Sequence, residues 1–480
     1  MAYLILVILG SLCTFHLPGY AGTIPENPFL AKSHWPMTHQ NPYNQGSSPY
    51  AGPSAEDFQK GKKIQRKLLP PGIITLAFDA EREGNSVIWA SSMLGVHKLA
   101  LIDDEVLVTD HRRIAYDLAS GGLSGAYSLV DLNGSFFVPK GHKIFRFTGK
   151  QEDPKSKIES QSEILIPLGD GDSIVGLNLT WDGHLVFVSN HGLLGVVSRE
   201  LELLALYPLP IDEEISNSIA VDEDGGIYVV SSRKMRRINW DGSTLSLAWE
   251  SVYKYGDGSS IPGRLGLGSG TTPSLMGSGE DDKLVVITDG EKKMSIAAFW
   301  RAEIPMDAPP TRLAGEFAIS FGDPDRESSV SEQSVLVNGY GAVLVSNDYG
   351  SLGKLPIPKR FKQMEVILTN LRAYAPYGME KVQWNKDGNY FEQEWANPFI
   401  SCPNGIPSYS EESNLIYCIG QRKGVWTLEA INWNTGSSAF YQKLGRAVNN
   451  NSAYAGTQIG PRSSIISGTA TGLIQIKGQN

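Results

Sequence analysis

Short β-patterned runs recur along this chain, each introduced by polar residues and broken by an acidic or glycine turn. Residues 177–189 read LNLTWDGHLVFVS and residues 216–231 read SNSIAVDEDGGIYVVS. Variants follow at Thr271–Thr288, Glu332–Ser346, Pro403–Gly420 and Tyr454–Gly468, with weaker copies at Ile74–Ser91 and Tyr127–Val138. Each unit pairs a short strand with a longer, almost wholly apolar one across a tight turn. Helical spacing of Ala, Leu, Glu and Lys is missing, while Gly 51 and Pro 27 supply turns. Repetition at roughly 40–70 residues predicts radially stacked antiparallel sheets. The expected fold is therefore all-β, a single β-propeller of seven or eight four-stranded blades closed by an N-terminal strand. Ile74–Asp79 is the strand expected to complete the last blade, whose own final strand is GLIQIK.

A second, outer repeat accompanies the first. INWDG at 238–242 leads to Trp249, VQWNKDG at 382–388 leads to Trp395, and INWNTG at 431–436 leads to Phe440 and Tyr441. Each is a strand, an Asx/Gly turn and a returning strand with an aromatic to pack between sheets. Over residues 72–477 this resembles the quinoprotein-like, PQQ-repeat β-propellers, in which such a turn and aromatic recur once per blade. The resemblance implies the scaffold and not the quinone, because the vicinal cysteine pair typical of the cofactor-using enzymes is missing.

The two ends of the pattern divide the chain. Residues 1–22 carry an apolar core from Leu4 to Phe15, too short to span a bilayer, with small residues at Gly19 and Ala21; they read as a secretory signal peptide. Residues 23–71, rich in Pro, Asn, Gln and Ser, predict an extended arm laid over the propeller and anchored by Trp35 and Tyr43. The propeller then occupies 72–480. Within it, Lys354–Ala375 reads as a lid at one mouth and Arg301–Arg326 as a second insertion; the basic run Lys60–Lys67 reads as a solvated linker.

Charge and cysteine content narrow the partners. The net charge of −9, with both signs intermixed and no basic stripe, argues against nucleic acid, and no second segment could span a membrane. Export would favour a disulfide between Cys402 and Cys418 on neighbouring strands, two free thiols being the alternative. The sequons at Asn133, Asn178 and Asn450 would be surface glycosylation sites in a eukaryotic secretory pathway.

Chemistry in a propeller concentrates where the innermost strands face the central channel. The lead-in positions place Asn178, Asn217, Ser218, Thr271, Thr272, Glu332, Gln333, Asn404 and Tyr454 there. Two readings stand: the residues solvate a water-filled channel, or they orient a small organic ligand through a few hydrogen bonds. No HExxH, CxxC or paired-histidine spacing marks a metal site. All eight histidines lie at or before His191, which disfavours a Ser-His triad; His191 near a channel mouth is the one catalytic candidate, and His184 is placed in a solvent-facing turn.

The whole profile of signal segment, sequons, helix-poor propeller and no cofactor motif resembles the secreted, glycosylated fungal hetero-Diels–Alderases of tropolone–sesquiterpenoid biosynthesis. That resemblance implies a cofactor-independent cyclisation of a small organic substrate. Asn217, Thr272, Gln333, Asn404 and Tyr454 would donate hydrogen bonds, Glu332 would also touch the substrate, and Trp300 and Tyr349 would form apolar walls. Two rivals remain. A calcium-assisted lactonase would bind its metal through Glu332, Asn217 and Asn404. A non-catalytic scaffold would work through its outer face, and a plugged channel with exposed apolar surface would favour it.

Overall fold

The computed structural model describes residues 24–70, 74–114, 125–210, 212–256, 267–279, 282–349, 375–403, 405–452 and 454–479. Strand β1 (Ser47–Ser48) lies in the arm, and β2 (Lys62–Leu68) follows a 3-10 turn at Glu56–Phe58. Blade 1 is β3 (Thr75–Phe78), β4 (Ser86–Ser92), β5 (Gly95–Ile102) and β6 (Glu105–Arg113). Blade 2 is β7 (Leu129–Val130), β8 (Phe136–Lys140), β9 (Lys143–Gly149) and β10 (Ile158–Leu165). Blade 3 is β11 (Ile174–Leu179), β12 (Leu185–Ser189), β13 (Leu193–Val197) and β14 (Leu203–Pro208). Blade 4 is β15 (Ala220–Val221), β16 (Gly226–Val230), β17 (Lys234–Trp240) and β18 (Leu245–Val252). Blade 5 is β19 (Ser274–Met276), β20 (Leu284–Thr288), β21 (Ser295–Trp300) and β22 (Leu313–Ala318). Blade 6 is β23 (Leu336–Asn338), β24 (Gly341–Val345), β25 (Met379–Asn385) and β26 (Tyr390–Asn397). Blade 7 is β27 (Ser408–Ser410), β28 (Leu415–Arg422), β29 (Val425–Asn432) and β30 (Ser438–Gly445). Blade 8 is β31 (Thr457–Gly460), β32 (Ser464–Thr469) and β33 (Gly472–Gly478), completed by β2.

The fold is thus an eight-bladed all-β propeller, and both weak N-terminal copies of the repeat are blades. Second strands such as β12, β20 and β24 are buried along their whole length, because a neighbouring blade covers each face. Outer strands are open instead: β10 and β14 expose most of their residues. Apolar clusters sit between adjacent blades, as where Trp300 of β21 meets Trp384 of β25 edge-on at 5.8 Å.

An N-terminal strand closes the ring, but not the expected one. β2, inside the basic run read as a linker, pairs antiparallel with β33 from Lys62↔Gly478 to Leu68↔Gly472. Thr75–Phe78, expected in that role, is the innermost strand of blade 1. The insertion expected across Arg301–Arg326 contains β22, the regular outer strand of blade 5. The segment expected as a lid, Lys354–Ala375, falls almost wholly outside the described residues, as do residues 1–23. Among the described residues no helix is long and apolar enough to cross a membrane.

Candidate functional site

The channel is occupied by the protein's own arm. First strands end in a ring of backbone N–H groups with no fifth strand to receive them, and the arm supplies carbonyls. Phe78 donates to Trp35 O at 2.9 Å, Val130 to Pro36 O at 2.8 Å and Val221 to Pro42 O at 3.0 Å. Leu275 donates to Tyr43 O at 2.9 Å, Val337 to Gln45 O at 2.9 Å and Tyr409 to Gly46 O at 3.0 Å. In blade 3 the Asn178 amide donates to Pro42 O at 3.0 Å. Strand β1 adds a parallel partner inside β27. A buried backbone group without a partner is costly, so each of these bonds removes a penalty that an empty channel mouth would otherwise meet with water.

Side chains seat the arm more deeply. Residues 37–46 form a loop closed by Gly46 N–H on His39 O at 3.1 Å, with Gln40 and Asn44 at positive φ. Trp35, Met37, His39, Tyr43, Asn44 and Gln45 are all buried. Asn44 donates to Ile219 O at 2.8 Å and Pro273 O at 3.1 Å, and Gln45 to Leu275 O at 2.8 Å. The Tyr43 hydroxyl donates to Glu223, and the fully buried Arg301 guanidinium lies 4.9 Å from the Tyr43 ring centre. Arg301 in turn donates to Gly277 O at 2.6 Å and pairs with Asp222 at 3.7 Å. At Gly52 the arm leaves the channel; a Cβ there would stand 2.3 Å from the Tyr417 ring, so only glycine passes.

At the other end of the channel, where first strands begin, Tyr127 reaches from the second blade to the fifth. Its hydroxyl lies 3.1 Å from Thr272 Oγ1. His39, at the tip of the arm loop, stacks obliquely on Tyr127 with centroids 5.7 Å apart, and its Nε2 lies 3.2 Å from Ser334 Oγ. Burial lowers the His39 pKa to about 4 and raises that of Tyr127. This Tyr127–His39–Ser334–Thr272 group was not legible in the sequence, because its members come from an arm and three blades with no shared spacing.

Several of the residues expected to face a ligand instead join one blade to the next. Asn217 donates to Ser269 O at 2.9 Å, and Gln333 to Cys402 O at 3.1 Å. Asn178 donates to Ile219 O at 2.8 Å, while Thr271 Oγ1 accepts Thr288 N–H at 3.0 Å within its own blade. Tyr349 donates to Pro403 O at 3.3 Å and packs against Tyr454, while Glu332 is only half-buried and its N–H donates to Asn347. Asn404 lies outside the described residues. Trp300 is not a wall of the channel: it belongs to β21, the third strand of its blade, and packs between blades 5 and 6. His191 stands on the turn after β12, its side chain half exposed and 3.8 Å from Asp172. His184 sits beside Trp240 and 3.1 Å from Asp182, only partly exposed.

The modification sites separate in the same way. Cys402 and Cys418 are disulfide-bonded with Cα atoms 5.9 Å apart, a spacing that suits the bond. Asn133 is exposed on the β7–β8 turn. Asn178 and Asn450 are buried, at 0 % and 1 % exposure, with their amides bonded inside the fold. A glycan at either is incompatible with this packing, which corrects the expectation from the sequons.

No family model matches the chain. It is 40% identical over 475 residues to a protein of Archaeoglobus fulgidus described as uncharacterized, covering 95% of this chain and 90% of that one. The chain belongs to the family of that archaeal protein. Among solved structures it is similar to a europium-containing methanol dehydrogenase, with a TM-score of 0.58 and 10% identity over 93% of this chain and 98% of the other. The C-terminal WD40 domain of Sif2 gives 0.51 and 8% over 88% and 99%. At these identities the two share the propeller fold with this family, and the likeness extends no further.

Proposed function

We propose that this protein is an exported, non-catalytic binding propeller that works through its outer wall. One observation carries the reading: the arm fills the channel in which a propeller would hold a small molecule. The residues around it support the same conclusion, since Asn217, Thr271 and Gln333 direct hydrogen-bonding groups to neighbouring backbone or side chains and Thr272 bonds Tyr127. Cyclisation or lactone hydrolysis would need such groups to converge on open space. The outer wall supplies what the channel lacks: Leu165, Leu206, Leu247 and Val252 are exposed on the outer strands of three consecutive blades. The disulfide supports export.

Native mass spectrometry of the protein from its own source, with and without chelator, tests this. A protein partner lost on Leu206→Lys or Leu247→Lys is the expected result. A retained calcium ion, quinone or neutral organic molecule would overturn the reading in favour of a channel enzyme.

A further inference from the structure

Outer strands of a propeller present a bare backbone edge, and proteins guard such edges with charge. Seven of the eight outer strands here do so. β6 carries Glu105, Asp110, Arg112 and Arg113, and β2 carries Lys62, Lys63, Arg66 and Lys67. β10, β18, β22, β26 and β30 carry at least one charge each, among them Glu163, Glu250, Glu316, Glu394 and Lys443. β14, with the sequence LLALYP, carries none. Its Leu203, Leu204 and Leu206 are 38%, 41% and 40% exposed.

The register says which groups are free to pair. Leu209 N–H donates to Gly192 O at 2.7 Å, so hydrogen-bonded pairs with β13 alternate from there. Leu206, opposite Gly195, falls on a non-bonded position, and its N–H and C=O point away from the blade. Pro208, two residues on, also faces outward and has no N–H to offer, which ends the free edge there.

We infer that β14 pairs antiparallel with β14 of a second copy of this chain, forming a two-fold dimer through the outer edge of blade 3. This rests on the outer-wall reading above and names its surface. Desolvation selects the occupant. A strand bearing charge would bury it unpaired against three leucines, whereas two uncharged copies bury none. Antiparallel pairing about a two-fold axis at Leu206 sets the outward groups of Leu206 against those of Leu206 in the other copy and sets Glu202 against Pro210, so no like charges meet.

Sedimentation of the full chain over a concentration series up to about 100 µM tests the pairing. The expected result is a dimer that persists at high salt, is lost on Leu206→Lys, and is unchanged by Val108→Lys on the exposed face of β6. Circular dichroism melts of both variants should match the parent protein, since both positions are exposed. A monomer throughout, or a dimer that survives Leu206→Lys, overturns the inference. A monomer that still carries a different protein partner in native mass spectrometry leaves the outer-wall reading standing while this pairing falls.

Discussion

His39 Nε2 lies 3.2 Å from Ser334 Oγ, joining the N-terminal arm to a blade 295 residues further along the chain. The imidazole is buried, and burial lowers its pKa from 6.5 to about 4. A buried histidine held neutral is a pH sensor for the plug. Between about pH 6.5 and pH 4 the unfolded chain binds a proton that the folded chain refuses, so stability falls as pH falls through that window. The linkage amounts to about 3 kcal/mol for this residue. His34 and His97, both also lowered to about 4 mainly by burial, add to the same slope. Urea melts between pH 7 and pH 4.5 should show the loss, and His39→Gln, which keeps a polar group near Ser334, should flatten part of it. An unchanged slope in that variant would show that His39 is not the sensor.

The lead-in and turn pattern made the blades legible, because second strands covered on both faces must be apolar throughout, as in LVFVS of β12. The arm and its anchors Trp35 and Tyr43 were legible, whereas its seat in the channel and the role of β2 were not, each for its own physical reason. A ring of strand-end N–H groups is a polar environment, so the segment that fills it is rich in Pro, Asn, Gln and Ser and resembles loop. β2 is an outer edge with a row of partly exposed residues, so KKIQRKL gives little hydrophobic signal although Ile64 packs on the core. The same limit applies at the candidate site. Asn217 stitching two blades and Asn217 binding a ligand are the same letter in the same place; only the position of Ser269 O separates them.

Arg301 should prove to be the anchor of the plug. Its guanidinium is fully buried among Asp222, Gly277 O and the Tyr43 ring. Arg301→Met keeps the volume but leaves the Asp222 carboxylate in the interior without its cation, which costs about 3–5 kcal/mol. Asp222→Asn combined with Arg301→Met should recover part of that loss, since the stranded charge is then gone. The arm itself reports the change: limited proteolysis within residues 24–50 should accelerate in the single variant more than in the double. Equal cleavage in all three proteins would show that the arm is held without Arg301.

Expression in a glycosylating secretory host separates the three sequons. Asn133 on its exposed turn is expected to carry the glycan, whereas Asn178 and Asn450 are buried from the enzyme once folded. Asn133→Gln should therefore remove the whole glycan mass with the melting temperature little changed. Asn178→Ala should leave the glycan and destabilise the fold by about 1–3 kcal/mol, because Pro42 O and Ile219 O each lose one of their two donors and the bond that the buried Asn178 amide oxygen accepts from Leu179 N–H is lost. Residual glycan on Asn133→Gln would mean that modification precedes folding at a buried site.

The disulfide offers the most direct test of export. Cys402 and Cys418 are separated by 16 residues, and closing a loop of that size restricts the unfolded chain by about 3 kcal/mol. Both residues lie in the apolar cluster between blades 6 and 7, and Cys402 O accepts the Gln333 amide. The crosslink therefore fixes the loop that receives a blade-to-blade bond as well as restricting the chain. Protein purified from an oxidising compartment should lose stability on reduction, while Cys402→Ala with Cys418→Ala should be indifferent to reductant and already weaker. Loss of the Gln333 bond should appear as an added penalty of Gln333→Ala in oxidised protein that shrinks once the loop is reduced. If reduction changes neither the melting temperature nor the Gln333→Ala penalty, the two cysteines act only as buried apolar residues and give no support to export.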